Sequence, residues 1–194
     1  MLSYIPVMLL GYLIGAVPFS FFVGKVFSHK DLRQHGSKNL GATNVIRVAG
    51  KKAGILAFVL DLTKGMLAFS AGWYFKGLSG AALASAFGII GHSYSLFMGF
   101  KGGKGVATTY GVFLMISPLL TLLLFGFQFL VVKFSHYMSV GSIAAALMIP
   151  LLLYISDKAM VLVGLGLFIA VFIPLRHLSN IRRLLEGKES KFTI

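Results

Sequence analysis

The chain has 194 residues, of which 57% are hydrophobic and 12% charged, and its 18 Lys and Arg against five Asp and Glu give a net charge of +13. This composition excludes an ordinary soluble domain, in which about half of the residues are apolar and about a quarter are charged. The absence of cysteine excludes disulfides, a thiolate nucleophile and cysteine-ligated metals. The length allows one domain, or two small ones at most, and with this hydrophobic share we predict a single polytopic membrane domain, residues 1–194.

Seven apolar runs approach or reach the length of a membrane-spanning helix, about 17 to 25 residues. In chain order they are Leu2–Val26, Ala53–Phe75, Leu78–Met98, Val106–Ser117, Leu119–Val132, Val140–Ile155 and Ala159–Leu175. The fourth and fifth are short and meet at Pro118, so one bent hairpin that does not fully cross is an alternative for them. We therefore predict an all-α integral membrane protein of about seven transmembrane helices.

Positive charge is distributed unevenly between the two faces of this arrangement. With the N-terminus outside, fifteen Lys and Arg residues fall in segments of one face, and only Lys76 and Lys158 fall on the other. Cytoplasmic loops of membrane proteins concentrate positive charge, which also attracts anionic headgroups. The pattern predicts a cytoplasmic C-terminus and membrane lipids as partners, and it leaves no need for a nucleic acid to explain the charge.

Two features inside the predicted spans concern packing. Asp61 and Lys64 are three residues apart in the second span, and we expect them to form a structural ion pair because isolated charges in a bilayer are costly. Small residues let membrane helices approach closely. We expect that role for the glycines inside the spans, namely Gly11, Gly15, Gly72, Gly88, Gly164 and Gly166.

Three polar segments fall on the predicted cytoplasmic face. The first, residues 35–47, combines glycines, small hydroxyl and amide side chains and Arg47, as phosphate sites do, although an ordinary capped loop has the same composition. The second, residues 91–108, is rich in glycine and carries Lys104 just before the fourth span. Helix N-termini favour anions, so we expect its amides and Lys104 to face a phosphate, with a flexible turn as the alternative.

The third segment, residues 176–189, places His177 and Asn180 on one face of a helix by their i, i+3 spacing. A single His at a membrane boundary is often only interfacial, and Arg182 and Arg183 suit contact with headgroups. The occurrence of all three segments on one face favours a functional site.

These segments resemble, over nearly the whole chain, the bacterial membrane glycerol-3-phosphate acyltransferases that use acyl phosphate, the PlsY family. The resemblance is carried by Ser37-Lys38-Asn39-Leu40-Gly41-Ala42-Thr43-Asn44-Val45-Ile46-Arg47, Asp61-Leu62-Thr63-Lys64-Gly65, Gly91-His92, the run from Phe100 to Thr108, Arg176-His177, Asn180-Ile181 and Arg183-Leu184. One departure is Lys38, where the family often has Gly.

The resemblance implies a seven-helix enzyme of the bacterial inner membrane with its active site facing the cytoplasm. It implies transfer of a fatty acyl group from acyl phosphate to the 1-hydroxyl of glycerol 3-phosphate. The products would be 1-acylglycerol 3-phosphate (lysophosphatidic acid) and phosphate, at the entry step of phospholipid synthesis. A transporter or channel for an anionic solute is the alternative, and a structural protein that binds anionic lipid is a third possibility.

For the enzyme we expect direct attack without a covalent acyl-enzyme, because acyl phosphate is already activated. The chain also lacks the His-x4-Asp motif of other acyltransferases. The expected catalytic residues are His177, Asn180, Lys104 and Ser37. The expected substrate- and phosphate-binding residues are Asn39, Gly41, Thr43, Asn44, Arg47, His92, Gly102, Gly103, Gly105, Thr108 and Ser142, with Ser139 a weaker candidate. No cofactor or metal is expected.

Overall fold

The computed structural model describes residues 4–192, a range built from helices and without a strand. The helices are α1 (Ile5–Ala16), α2 (Phe19–Ser28), α3 (Ala42–Ala49), α4 (Lys51–Ser93), α5 (Val106–Ile116), α6 (Pro118–Ser135), α7 (Met138–Ile155), α8 (Met160–Arg176) and α9 (Leu178–Leu185). A short 3₁₀ turn, Leu96–Met98, lies between α4 and α5. The prediction of an all-α protein is confirmed.

Within residues 4–192, four helical segments are long and apolar enough to cross a membrane: Ile5–Ser28, Lys51–Met98, Pro118–Ser135 and Met138–Ile155. The pair α8 and α9, bent by 53°, would be a fifth. Large apolar side chains lie on the outside of these helices; Leu122, for example, is 67% exposed and Val171 is 62% exposed. Such a surface suits lipid rather than water, so the chain is a multi-pass membrane protein.

Helix α4 consists of two helices. Its 43 residues would extend about 65 Å if straight, twice the hydrocarbon thickness of about 30 Å. Lys76 (φ −145°) and Gly77 (φ 57°) have non-helical backbones, and the backbones of Gly72 and Gly80 pack against each other across this break. The chain therefore reverses at Lys76 and Gly77, the boundary predicted between the second and third spans.

The first predicted span is interrupted, which the sequence analysis did not foresee. Pro18 has no N–H to continue the helix, and α1 ends at Ala16 while α2 begins at Phe19. The apolar segment predicted over Leu2–Val26 is present as Ile5–Ser28, but it consists of two helices rather than one; Leu2 lies outside the described residues. Residues 42–49, for which no helix was predicted, also form a helix, α3.

Most of the intramembrane glycines lie at close helix contacts, as predicted. In the first unit defined by contacts, Met1–Met115, a Cβ on Gly11 would collide with the backbone of Ala84, and one on Gly15 with that of Gly88. Helix α5 packs on α4 in the same way, since Gly65 meets the backbone of Thr108. A Cβ added to Gly164 would have nothing within 4 Å, so for that glycine the prediction is wrong.

The second unit, Ile116–Ile194, contains α6 to α9 within its described part. Helix α6 begins at Pro118, and the side chain of Ser117 accepts a hydrogen bond from the Leu120 amide as its N-cap. The predicted break at Pro118 is therefore confirmed. A Cβ on Gly166 of α8 would lie 3.0 Å from the Leu153 side chain of α7, which marks a close contact between these helices.

Candidate functional site

The first polar segment is shaped by the buried side chain of Asn44, which is 1% exposed. Its amide oxygen accepts a hydrogen bond from the Ser37 backbone at 2.8 Å, and its amide nitrogen donates to the carbonyls of Leu32, His35 and Asn39 at 3.0 to 3.3 Å. An amide has donors and acceptors enough to close a loop in this way. We therefore correct the predicted role of Asn44 from contact with phosphate to support of the loop.

The other predicted residues of this segment lie around that loop with different exposure. Ser37 and Arg47 are exposed, whereas Asn39, Gly41 and Thr43 are half-buried. Ser37 and Arg47 are thus accessible to a ligand, and α3 carries Arg47 in its last turn. A guanidinium presents a planar fork of donors that suits a phosphate.

The second polar segment lies directly on His92 at the end of α4. The amide of Gly103 donates to the His92 carbonyl at 3.1 Å, and a Cβ on Gly103 would collide with the His92 ring. A Cβ on Gly102 would collide with the same carbonyl. These glycines permit close packing, and because the Gly103 amide is already engaged, the prediction that it binds phosphate is wrong.

The two loops of the first unit meet at this point. The Leu40 carbonyl lies 3.0 Å from where a Gly103 Cβ would be, and the Gly103 Cα lies 4.0 Å from the corresponding position on Gly41. Both loops are predicted to lie on one face, and the structure brings them into contact.

Lys104 follows this contact and stands at the start of α5, half-buried. Gly105 has a φ of +86°, which favours glycine, and its carbonyl accepts the first helical hydrogen bond from the Thr109 amide at 2.8 Å. Thr108, predicted to bind substrate, is fully buried inside the first unit. Its assignment to substrate binding stays a prediction.

A polar cluster lies beneath the glycine-rich loop, formed by Ser20, Asp61, Lys64 and His92; we call it the ion-pair cluster. The Lys64 Nζ lies 2.9 Å from the Asp61 Oδ1 and 3.1 Å from the His92 Nδ1. The Ser20 hydroxyl donates to the other Asp61 oxygen. The two charged side chains are only 2% and 1% exposed, so the predicted structural ion pair is confirmed, and His92 belongs to it.

The ion-pair cluster also stabilises the break between α1 and α2. Lys64 donates to the carbonyls of Gly15 at 3.0 Å and Val17 at 2.7 Å, and the Ser95 hydroxyl donates to the Ala16 carbonyl. A helix end inside a membrane leaves carbonyls that water cannot satisfy. Lys64 and Ser95 supply the donors, and so they hold the broken span in place.

A small cleft is lined in part by this cluster. Its polar lining comprises Ser20, Asp61, Lys64, His92, Ser95 and Lys101. Neither Ser20 nor Ser95 was predicted as a site residue. Ser20 is an isolated serine in an apolar run, and Ser95 lies in the second polar segment without a pattern of its own. Within residues 4–192, no group of three or more His, Cys, Asp or Glu side chains is arranged to hold a metal ion.

In the second unit, His177 and Asn180 stand at the start of α9. His177 is 3% exposed, and its Nδ1 lies 2.8 Å from the Ile173 carbonyl. Because a carbonyl only accepts, Nδ1 carries a proton, and in a neutral ring Nε2 is then the basic nitrogen. The Asn180 backbone amide donates to the His177 carbonyl at 2.9 Å, which confirms the predicted helical relation of the two residues.

Two serines at the start of α7 have different environments. The Ser142 hydroxyl donates to the Met138 carbonyl of its own helix at 2.9 Å. The Ser139 hydroxyl instead donates to the carboxylate of Glu189 at 3.0 Å, which also receives the Asn180 side chain at 2.6 Å. Glu189 was not among the predicted site residues.

The chain is similar to known proteins over nearly its whole length. A family profile described as glycerol-3-phosphate acyltransferase matches residues 5–187. The chain belongs to the glycerol-3-phosphate acyltransferase family. A curated glycerol-3-phosphate acyltransferase of Fusobacterium nucleatum is 42% identical over 184 residues, covering 94% of this chain and 95% of that protein. One of Carboxydothermus hydrogenoformans is 43% identical over 183 residues, 94% and 93% of the two chains.

Two crystal structures of PlsY, an integral membrane glycerol 3-phosphate acyltransferase, are also similar to this chain. The glycerol 3-phosphate form has a TM-score of 0.90 at 35% identity and covers 98% of this chain and 96% of that one. The lysophosphatidic acid form has the same TM-score and coverage at 34% identity. Membership of this acyltransferase family therefore accounts for both the helical arrangement and the polar segments.

Proposed function

We propose that this protein transfers a fatty acyl group from acyl phosphate to the 1-hydroxyl of glycerol 3-phosphate. The products are 1-acylglycerol 3-phosphate and phosphate, and the reaction opens phospholipid synthesis. The observation that carries the proposal is family membership over residues 5–187, which include every residue predicted to be catalytic or to bind substrate. Nothing comparable favours a transporter or channel.

In this proposal the cationic side chains of the first unit bind the phosphate groups. Lys104 is half-buried beside the packed glycine loop and Arg47 is exposed at the end of α3. Charge-assisted hydrogen bonds from such groups position a substrate and also stabilise charge that develops during transfer. Ser37, Asn39 and Thr43 add neutral donors around the same loop.

The acyl transfer is a direct substitution. The 1-hydroxyl oxygen attacks the acyl carbonyl carbon, a new C–O ester bond forms, and the bond to the phosphate oxygen breaks with its electron pair leaving on phosphate. The hydroxyl proton goes to the His177 Nε2 or to a substrate phosphate. The Nδ1 contact with the Ile173 carbonyl keeps a proton on Nδ1, so in the neutral ring Nε2 is the nitrogen that can accept one. Asn180 orients the hydroxyl by hydrogen bonding.

Acyl phosphate is the proposed donor because the chain lacks the parts that other donors need. It has no cysteine and no His-x4-Asp motif, so no obvious nucleophile supports an acyl-enzyme other than serine. The stretch between the first two membrane segments, residues 29–50, is filled by the first loop and α3. A compact acyl phosphate suits this space better than a nucleotide-bearing thioester.

We further propose seven membrane segments, with the N-terminus outside and the site facing the cytoplasm of a bacterial inner membrane. The reversal at Lys76 and Gly77 supports two crossings within α4. Trp73, Tyr74 and Phe75 directly precede it and are exposed, as aromatic residues at a membrane interface are. The helices α5 and α8 complete the count of seven, and the uneven distribution of positive charge supports the orientation.

The test of function is turnover by the purified protein given acyl phosphate and glycerol 3-phosphate. We expect formation of 1-acylglycerol 3-phosphate with sequential kinetics and little turnover with acyl-CoA. Lys104→Ala and Arg47→Ala should each lower kcat/KM at least about tenfold, since a charge-assisted hydrogen bond contributes about 1.5–3 kcal/mol.

The control is Lys188→Ala, because Lys188 is exposed and pairs only loosely with Glu186 at 3.1 Å. That variant should turn over nearly as fast as the unaltered protein. Equal activity of all three variants would contradict the phosphate-site assignment. Solute flux in liposomes without acyl transfer would contradict the function itself.

A further inference from the structure

The segment after α9 folds back along the second unit. Gly187 turns the chain with a φ of +67°, and the amides of Lys188 and Glu189 both donate to the Arg183 carbonyl, at 2.7 and 3.1 Å. Further on, the Phe192 amide donates to the His136 carbonyl at 2.7 Å. These bonds fix the backbone of residues 187–192, which we call the C-terminal strap.

The strap carries the side chain of Glu189 into the polar site of this unit, where it is only 5% exposed. Its Oε1 accepts from the Ser139 hydroxyl at 3.0 Å and from the Asn180 side-chain amide at 2.6 Å. Its Oε2 accepts from the Arg183 Nε at 2.7 Å. One carboxylate thus joins the start of α7 to both ends of α9.

The bond to Asn180 determines how that side chain is oriented. A primary amide has a donating end and an accepting end that differ chemically but have nearly the same shape. Because a carboxylate only accepts, the nitrogen of Asn180 must point to Glu189. A neighbour that fixes a functional side chain in this way is as important for its geometry as the backbone that carries it.

We propose that Glu189 is a positioning residue for acyl transfer, which acts by fixing the orientation of Asn180. This inference rests on the proposed function, in which Asn180 orients the attacking hydroxyl. Glu189 does not itself react, since both of its oxygens already accept hydrogen bonds from the protein. Its effect is on the rate of the chemical step rather than on substrate affinity.

The test is Glu189→Gln with Glu186→Gln as the matched control, because both remove one carboxylate from the same short segment and Glu186 contacts the exposed Lys188. In glutamine, an NH2 group that can only donate replaces one of the two carboxylate oxygens. It would face the side chain of either Asn180 or Arg183, each of which donates to Glu189 in the unaltered protein. We expect kcat of Glu189→Gln to fall at least about tenfold while KM for glycerol 3-phosphate changes less than about threefold. Glu186→Gln should stay within about twofold in both constants.

Two further variants separate positioning from a general structural role. Glu189→Asp keeps a carboxylate and should recover part of the lost kcat. In an Asn180→Ala background, Glu189→Gln should lower kcat no further, because the side chain through which it acts is gone. Rates are taken per folded enzyme, with the unfolding temperature of each variant measured in the same detergent.

Other outcomes would overturn the inference. Equal losses from Glu189→Gln and Glu186→Gln, or a loss confined to KM, would assign Glu189 to folding or to binding instead. Higher activity of Glu189→Gln would mean that its carboxylate blocks the site as a substitute anion. Failure of the unaltered protein and of Glu186→Gln to turn over would refute the proposed function, a result distinct from any of these.

Discussion

Lys38 has a backbone conformation that suits glycine. Its φ is +58°, and its amide donates to the His35 carbonyl at 3.1 Å in the turn that precedes α3. A side chain in this left-handed region costs about 1–2 kcal/mol of folding free energy. Glycine would adopt this turn without that cost, but part of the gain is lost because glycine has greater freedom in the unfolded chain.

We therefore expect Lys38→Gly to stabilise the protein by about 0.5–1 kcal/mol, or about 1–4 °C in unfolding temperature. The control is Lys38→Ala, which removes the same charge but keeps the Cβ and should not stabilise. Thermal unfolding of both variants in one detergent checks this. Equal stabilisation by alanine and glycine would mean that charge, not backbone conformation, is responsible.

Glu189 links stability to pH. Burial alone would raise the pKa of Glu189, but hydrogen bonds from Asn180, Arg183 and Ser139 outweigh it and hold the pKa below the usual 4.5. A lowered folded-state pKa means that the carboxylate stabilises the folded state fully above about pH 4.5. That contribution is lost as pH falls through the folded-state value.

From pH 7 down to about 5, we expect the unaltered protein to unfold at a higher temperature than Glu189→Gln. This gap in unfolding temperature should close at lower pH, where the carboxylate becomes protonated. Unfolding temperatures from neutral pH down to about pH 3.5 measure it. Glu186→Gln is the matched control and should show a small gap throughout. A gap between unaltered protein and Glu189→Gln that stayed constant over that whole range would rule out this carboxylate as its source.

At the level of elements, the glycine-rich loop and the end of α4 form one packed structure. Gly102 and Gly103 let the loop lie against His92, and His92 in turn contacts Lys64 of the ion-pair cluster. A change in the loop is thus transmitted to the broken span that Lys64 stabilises. Lys104, the next residue, is positioned by the same packing.

Gly103→Ala is therefore expected to lower both activity and stability. Its Cβ would overlap the His92 ring and lie 3.0 Å from the Leu40 carbonyl. The added methyl group would therefore push the two loops apart. We expect at least about a tenfold loss of kcat/KM and a destabilisation of about 1–3 kcal/mol from overpacking. Turnover and thermal unfolding measure the two effects.

The matched control is Gly126→Ala on α6, where nothing lies within 4 Å of an added Cβ. Alanine is favoured over glycine inside a helix by up to about 1 kcal/mol, so this variant should be neutral or slightly stabilised. Similar losses from the two substitutions would show that close packing at Gly103 is not the cause.

Contacts between residues close in sequence were more predictable than contacts between distant residues. Asp61 and Lys64 pair within one helix, so their spacing alone indicates the contact. Glu189 joins Ser139, fifty residues earlier, and no local pattern indicates that bond. Asn44 shows a different limit, because an amide that closes its own loop and an amide that binds a ligand have the same chemistry.

The helix boundaries show the same difference between what local sequence predicts and what depends on distant contacts. Hydropathy and charge located the reversal at Lys76 and Gly77 and the break at Pro118. They did not reveal the interruption at Pro18, because the apolar run continues on both sides of it. What makes that interruption possible is a set of donors from α4 and the turn after it, which only the folded chain brings to α1.

At the scale of the whole molecule, the proposed orientation assigns each connecting segment to one side of the membrane. Ser79 follows the reversal in α4, Ser28 ends α2, and Ser190 lies in the C-terminal strap. Since the chain has no cysteine, a single introduced cysteine reports on one position alone.

We expect a cysteine at Ser79 to react with an impermeant thiol reagent applied to the outside of intact cells. Cysteines at Ser28 and Ser190 should react only after the membrane is opened. The reagent's access is measured by labelling before and after permeabilisation. Labelling of Ser190→Cys from outside would refute the seven-segment orientation.

The position of Lys64 in the chain matters for how the protein is made. Among the residues described, the carbonyls of Gly15 and Val17 and the carboxylate of Asp61 come before Lys64, and His92 follows. A ribosome delivers the N-terminal segments first. When the lysine enters the bilayer, its counter-charge and two carbonyl acceptors are therefore already present, and its insertion need not await the returning half of α4.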